Sequence, residues 1–211
     1  MKRKVIYQKR KSISLQVINE TLVIKVPYNI KMELVDSFIS KKQKWLDKQY
    51  ELNKRFQLFL DKPVNILGEW YPIVLRDGKF SIELINNQII IIKPKSLSEE
   101  ATVQRLRKYL NNQLELLIQE AIDECHLKKE FEYNELKIKK LTASWGNCSS
   151  KKRLTFSTRL IHTSLPFIHA IVCHEVSHLF EMNHSKQFYD CLQYFCPTYK
   201  QDIIEFTRPT I

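Results

Sequence analysis

Two histidines and a glutamate form the pattern in this chain that is best suited to chemistry. His174, Glu175 and His178 spell H-E-x-x-H within a segment that has helical spacing of apolar residues. At about 100° per residue, His178 returns to within about 40° of His174 one turn along a helix, so both imidazoles can reach one metal ion. Zinc accepts neutral imidazole nitrogen and keeps one position open for water in catalytic sites. Glu175 points away from the two histidines, where a carboxylate can take a proton from that water.

A third histidine strengthens the prediction of a metal site. His184 follows His178 by six residues, as the third ligand does in the metzincin string H-E-x-x-H-x-x-G-x-x-H, although Glu181 takes the place of the turn glycine and no methionine follows for a Met-turn. The alternative is an ordinary helix with two hydrogen-bonded histidines and a solvated His184 in a loop. Apolar residues surround the motif, however, and burying three polar side chains without a metal is costly. We therefore predict that His174, His178 and His184 bind zinc and that Glu175 is the general base.

Two helices must position these side chains. Ser164 and Pro166 are typical of a helix start, and this helix is predicted to run through His178. A last helix is predicted from about Ser185 and ends at Pro197. His184 would then lie in the turn between the two helices.

The rest of the chain alternates strand and helix signals. We predict a hairpin over residues 12–26 with its turn at Asn19-Glu20, one helix over 33–56 and a small antiparallel meander over 63–92. A long helix over 97–126 is predicted to begin with Ser96 and Glu99 at capping-box spacing, and a second hairpin to pair 136–145 with 153–160. The fold class is therefore α+β. Residues 1–96 are expected to form a β-rich N-terminal region and residues 97–211 the metal-binding region, packed as one compact unit.

Length and composition exclude several classes of protein. A chain of 211 residues with 44% hydrophobic residues is large enough to bury a core. Its 27% charged residues and its lack of a long apolar run exclude disordered and membrane-spanning proteins. No apolar stretch follows the basic N-terminus, so we expect a mature chain starting near Met1 and a cytoplasmic protein. The five cysteines lack C-x-x-C spacing, so we expect reduced, mostly buried thiols.

The positive charge is concentrated in the first quarter of the chain. The net charge of the protein is +11, and residues 1–55 alone carry 14 Lys and Arg against 5 Asp and Glu, which gives +9. Lys41, Lys44 and Lys48 are predicted to share one helix face. Such a surface is usually only solvated, and the alternative is a contact with nucleic acid or a nucleotide.

Several further residues have both a structural and a functional interpretation. Cys148 is expected to be a structural thiol rather than a metal-linked switch. Tyr189 is expected to pack on its helix rather than to polarise a substrate carbonyl. The remaining histidines lack metal-pair spacing with each other and are expected at the surface or in hydrogen bonds, namely His126, His162 and His169.

Four separated motifs, in order, resemble those of the YgjP-like zinc metallopeptidases, relatives of the SprT-like proteases. The motifs are S-W-G-N-C-S from Ser144, R-L-I from Arg159, H-E-V-S-H-L from His174, and N-H-S-K-Q-F-Y from Asn183. The resemblance also covers the N-terminal hairpin and the helix around Trp45, hence nearly the whole chain. It implies a minimal zincin fold, zinc held by His174, His178 and His184, and Glu175 as general base. The chain departs from the usual family pattern at three positions, namely Asn147 for serine, Tyr189 for tryptophan and His169 where an acidic residue is common.

These observations predict a zinc-dependent metallopeptidase that acts on a peptide or protein and not at a membrane. Two alternatives remain open. The same activated water can attack a nucleotide phosphoanhydride, which the basic segment would attract. A nucleic-acid-binding module with structural zinc is the other alternative, but Glu175 and an open three-ligand site are more typical of catalysis.

Overall fold

The computed structural model describes residues 2–18, 21–141 and 144–204. The chain divides into two compact units, Met1–Gln57 and Leu58–Ile211. The described residues include six α-helices and several small sheets, which is an α+β combination. The boundary that we predicted after residue 96 falls inside the second unit. Within the described residues, no helix combines the length and the apolar character needed to cross a membrane.

The first unit is built on a three-stranded sheet. Strand β2 (Ser14–Ile18) pairs antiparallel with β3 (Thr21–Val26), which confirms the predicted hairpin. Its predicted turn, Asn19-Glu20, lies outside the described residues. Strand β1 (Lys2–Tyr7), which we did not predict, pairs parallel with the other side of β3.

The single helix predicted over residues 33–56 is wrong, because the segment forms two helices. Helix α1 (Met32–Lys41) and helix α2 (Gln43–Arg55) meet at Lys42, where φ is −103° and ψ is 9°. Val35 and Ile39 of α1 and Leu46 of α2 are buried in the same hydrophobic cluster as the sheet. Apolar spacing alone did not reveal the break, since the apolar residues on either side of Lys42 serve one core.

The meander predicted over residues 63–92 is confirmed in two antiparallel strand pairs but is wrong in its strand order. Strands β4 (Val64–Ile66) and β5 (Glu69–Tyr71) form a separate two-stranded hairpin. Strands β6 (Ile73–Asp77), β7 (Ser81–Ile85) and β8 (Gln88–Lys93) form a sheet in which β8 is central, antiparallel to β7 but parallel to β6. Ile89 and Ile91 of β8 are almost fully buried, as befits a central strand.

Helix α3 (Glu99–Lys128) confirms the long predicted helix. Its first turn is capped by Ser98, whose hydroxyl accepts a hydrogen bond from the backbone N–H of Ala101, rather than by Ser96. One stripe of the helix is buried in the core of the second unit, namely Leu106, Leu110, Leu114, Ile118, Ile122 and Cys125.

A small sheet lies against the predicted metal-binding helix. Strand β11 (Arg153–Ser157) pairs antiparallel with β10 (Gly146–Cys148) and parallel with β9 (Glu135–Lys139). The predicted hairpin between 136–145 and 153–160 is therefore wrong. The segment at 135–139 pairs parallel with β11, and the short β10 is the antiparallel neighbour of β11. As a result, β10 is an edge strand.

The last three helices carry the candidate site. Helix α4 (Leu165–Ser177) begins after the cap Ser164, has Pro166 in its first turn and reaches the C-cap His178, which confirms the prediction. Helix α5 (Lys186–Phe195) begins after the cap Ser185, also as predicted. A short helix α6 (Tyr199–Asp202) follows.

Candidate metal centre

Three imidazoles converge where α4 ends and α5 begins. The ligand atoms of His174, His178 and His184 all lie within 4.8 Å of one another. The Nε2 atoms of His174 and His184 are 3.1 Å apart, and the three ring centroids are separated by 4.8 to 5.1 Å. The helical turn and the following loop thus bring the predicted ligands together.

The geometry and protonation of these rings fit a metal ion. Nitrogens bound tetrahedrally to one zinc ion lie roughly 3.4 Å apart, close to the observed separation of the His174 and His184 nitrogens. Burial, aided by the neighbouring His178 and His184, lowers the pKa of His174 to about 4. Burial likewise lowers the pKa of His178. Both rings are therefore neutral at neutral pH, which is the form that binds a metal.

Other groups hold two of the rings in place through their second nitrogens. Nδ1 of His178 lies 3.1 Å from the backbone carbonyl oxygen of Glu181, to which an Nδ1–H donates. The hydroxyl of Tyr199 lies 3.5 Å from Nδ1 of His174. A partner at Nδ1 leaves the Nε2 lone pair directed at the shared centre, as in protein zinc sites.

Phe188 packs against all three imidazole rings. Its ring centroid lies 4.9 Å from that of His174, 4.5 Å from His178 and 4.7 Å from His184. Phe188 is fully buried and lies in the first turn of α5. Its backbone N–H donates a hydrogen bond to the hydroxyl of the cap Ser185. The start of α5 therefore fixes both the Phe188 ring that packs against the imidazoles and the loop that carries His184.

Glu175 lies beside the edge strand β10 and is only 6% exposed. Burial raises the pKa of its carboxyl to about 7, against the opposing effect of a hydrogen bond from the backbone N–H of Cys148. A Cβ atom at Gly146 would lie 2.6 Å from Cγ of Glu175, so only glycine leaves room for this side chain. A carboxylate with a pKa near 7 is well matched to general-base catalysis at neutral pH.

The first two of the four motifs meet next to β10. Trp145 packs edge-on against Phe167 with ring centroids 5.2 Å apart, and the Arg159 guanidinium lies 4.8 Å from the Trp145 ring centroid. Nη2 of Arg159 also donates to the carbonyl oxygen of Ser144. These contacts fix the start of the strand against which Glu175 packs.

The other candidate residues are not members of the three-imidazole group, although Tyr189 flanks it. Cys148 is buried and its pKa is raised to about 11, first by burial and then by Glu175, which is the behaviour of a structural thiol. Tyr189 is half exposed, with its ring 6.3 Å from that of His184. His126 is exposed, and Nδ1 of His162 contacts the backbone oxygen of Asn65. His169 lies instead beside two cysteines, Cys173 and Cys196.

Sequence reasoning did not identify Tyr199 or the contact of Gly146 with Glu175. Tyr199 follows His174 by 25 residues, and no local pattern links the two. A cavity of about 430 Å³ lies next to this region, and its lining includes Tyr189 and Tyr199, which also flank the imidazoles.

Comparison with protein families gives a match that covers most of the chain. Residues 11–204 match the family described as YgjP-like, metallopeptidase domain. Comparisons with curated proteins and with solved structures give no significant match. The family match supports a peptide or protein substrate and gives no support to nucleic-acid binding by the basic segment.

Proposed function

The chain belongs to the YgjP-like metallopeptidase family, and on this premise we propose that it is a zinc-dependent peptidase with a minimal zincin core. The observation that carries the proposal is the convergence of three imidazoles beside a buried carboxylate. We assign the metal ligands as His174, His178 and His184. The chemistry that zinc supplies, when bound, is Lewis acidity, which polarises a peptide carbonyl and acidifies water.

Glu175 is the proposed general base. Its burial makes the carboxylate more basic, so it can take the proton of the attacking water and later deliver that proton to the leaving amine. The hydrogen bond from the Cys148 backbone and the contact with Gly146 hold the carboxylate in one position. Such preorganisation reduces the cost of bringing the base to the water at the moment of reaction.

Strand β10 is the proposed docking edge for substrate. It is one of the two outer strands of its sheet and lies next to Glu175, so an extended peptide can add to it through backbone hydrogen bonds. Substrates in this geometry are extended segments such as unfolded stretches or flexible loops, because an extended backbone is what pairs with a strand edge. The cavity flanked by Tyr189 and Tyr199 offers room for a side chain of that peptide.

The test is incubation of zinc-loaded protein with a peptide library and, separately, with a panel of nucleotides. We expect new peptide termini by mass spectrometry and intact nucleotides. The matched control is Glu175→Gln, which keeps the side-chain volume and should leave the peptides intact. Consumption of nucleotides alone would establish the phosphoanhydride alternative, and an unreactive protein with bound zinc would favour a structural metal.

A further inference from the structure

A second cluster of potential metal ligands lies beside α4 and has no role in the proposed peptidase site. It consists of Cys125 near the end of α3, His169 and Cys173 on α4, and Cys196 at the C-cap of α5. The ligand atoms of His169, Cys173 and Cys196 all lie within 4.8 Å of one another. Sγ of Cys125 is 3.5 Å from Sγ of Cys173. Cys125 lies outside this close group of three and reaches it through its contact with Cys173, so α3 borders a cluster built by α4 and the end of α5.

The distances match a thiolate–imidazole metal site. Ligand atoms around a tetrahedral zinc ion are separated by roughly 3.5 to 3.8 Å when sulfur is involved. Sγ of Cys173 lies 3.7 Å from both ring nitrogens of His169, in addition to its 3.5 Å contact with Cys125. The three cysteines are at most 1% exposed, so water does not compete for them.

His169 has the partner that a metal-binding histidine usually has. Its Nε2 lies 3.3 Å from a carboxylate oxygen of Glu124, which leaves Nδ1, 3.7 Å from Sγ of Cys173, as the nitrogen available to a metal ion. A carboxylate on the second nitrogen orients a ligating imidazole and raises its basicity. The side chains of His169 and Glu124 are 29% and 62% exposed, so a cation can reach the otherwise buried thiols from this side.

We propose that Cys125, His169, Cys173 and Cys196 form a second metal site for a zinc-type cation, distinct from the three-histidine centre. Two thiolates or more with one imidazole select soft or borderline cations over magnesium and calcium. With Cys125 as the fourth ligand beside the close group of three, no coordination position stays open, which makes this site structural rather than catalytic. Its effect is to join α3, α4 and the end of α5. Because Cys173 immediately precedes His174, the site would anchor the helix that carries the first two histidines.

Cobalt binding to the full-length protein tests this site separately from the proposed peptidase centre. Reduced, metal-free protein is titrated anaerobically with Co²⁺, which gives a thiolate-to-cobalt charge-transfer band only when cysteine binds it. We expect two equivalents of cobalt and the band in the wild-type protein. Replacing His174 and His178 with alanine should remove one equivalent and leave the band, so loss of the peptidase centre is distinguishable from loss of this one.

Variants of the cluster give the opposite pattern. Cys173→Ala combined with Cys196→Ala should remove the band and one equivalent, while Cys191→Ala, a thiol of α5 outside the group, should keep both. Glu124→Gln changes only an exposed carboxylate and should weaken the band-forming site by about 10- to 100-fold. No band in reduced wild-type protein, or a band that persists in the double cysteine variant, would overturn the proposal. A disulfide between two of these cysteines that persists in the reduced preparation would overturn it as well.

Discussion

Gly146 of β10 and Glu175 of α4 are in such close contact that only glycine at position 146 leaves room for the glutamate side chain. A Cβ atom added to Gly146 would come within 2.6 Å of Cγ and 2.7 Å of Oε1 of Glu175. The contact joins residues 29 positions apart in the printed sequence and places the proposed base beside the proposed substrate edge. The W-G motif thereby acquires a physical role, because the glycine makes room for the glutamate of H-E-x-x-H.

Gly146→Ala should therefore displace Glu175 and reduce peptide hydrolysis. Misplacing a catalytic group by about 1 Å can cost on the order of 100-fold in rate. The ligands are untouched, so zinc content should stay at the wild-type level. Asn147→Ala, at the exposed neighbouring position, is the matched control and should retain activity. Equal activity of the two variants would remove Gly146 from the positioning of the base.

Glu175→Gln should retain zinc and lose hydrolysis. The amide has nearly the volume of the carboxylate but cannot accept a proton, and general-base catalysis is worth about 10² to 10⁴-fold in rate. Steady-state peptide cleavage and elemental analysis on the same preparation measure both quantities. Full hydrolytic rate in this variant would refute the general-base role.

The metal-free protein should show a pH-dependent stability that depends on Glu175. The pKa of Glu175 in the folded protein, about 7, lies above the ordinary value of 4.5. The contribution of Glu175 to the free energy of unfolding is therefore fully present below pH 4.5 and is lost as the pH rises through 7. Relative to Glu175→Gln, the wild-type protein should lose up to roughly 3 kcal/mol of unfolding free energy over that interval. Urea denaturation with chelator at pH 5 and pH 8 measures the difference. A difference that does not change with pH would contradict the shifted pKa.

His184→Ala should weaken zinc binding strongly. Loss of a partner behind a ligand already costs about 10- to 100-fold in affinity, so loss of a ligand should cost more than about 100-fold. His126→Ala, at an exposed histidine away from the cluster, serves as the control. Competition with a chromophoric chelator gives both affinities, and matching values would remove His184 from the ligand set.

Tyr199→Phe should reduce zinc affinity without unfolding the protein. The substitution removes the hydroxyl 3.5 Å from Nδ1 of His174 and keeps the ring that lies beside the imidazole. At this distance we expect the lower end of the range for such partners, about tenfold. Tyr194→Phe removes a hydroxyl that donates to the carbonyl of Lys128 instead, and should leave the affinity unchanged.

Local sequence patterns were enough to predict the features that depend on neighbouring residues. The cap Ser164 with Pro166, the cap Ser185 and the four-residue spacing of His174 and His178 act within one or two helical turns. The bounds of helices α4 and α5 could therefore be predicted, and so could the placement of the two α4 histidines on one side of the helix. Capping hydrogen bonds and helical periodicity involve residues close together in the chain, so they can be predicted from the sequence.

Which distant segments meet could not be predicted from local patterns, because it depends on how the whole chain packs. The parallel pairings of β6 with β8 and of β9 with β11 replaced the simple hairpins expected from turn signals. The approach of Tyr199 to His174 and the joining of Cys125, Cys173 and Cys196 have no signature in sequence spacing. These contacts form because separate amphipathic helices and strands bury their apolar faces in one core, and the geometry of that packing, not local preference, selects the polar side chains that come together.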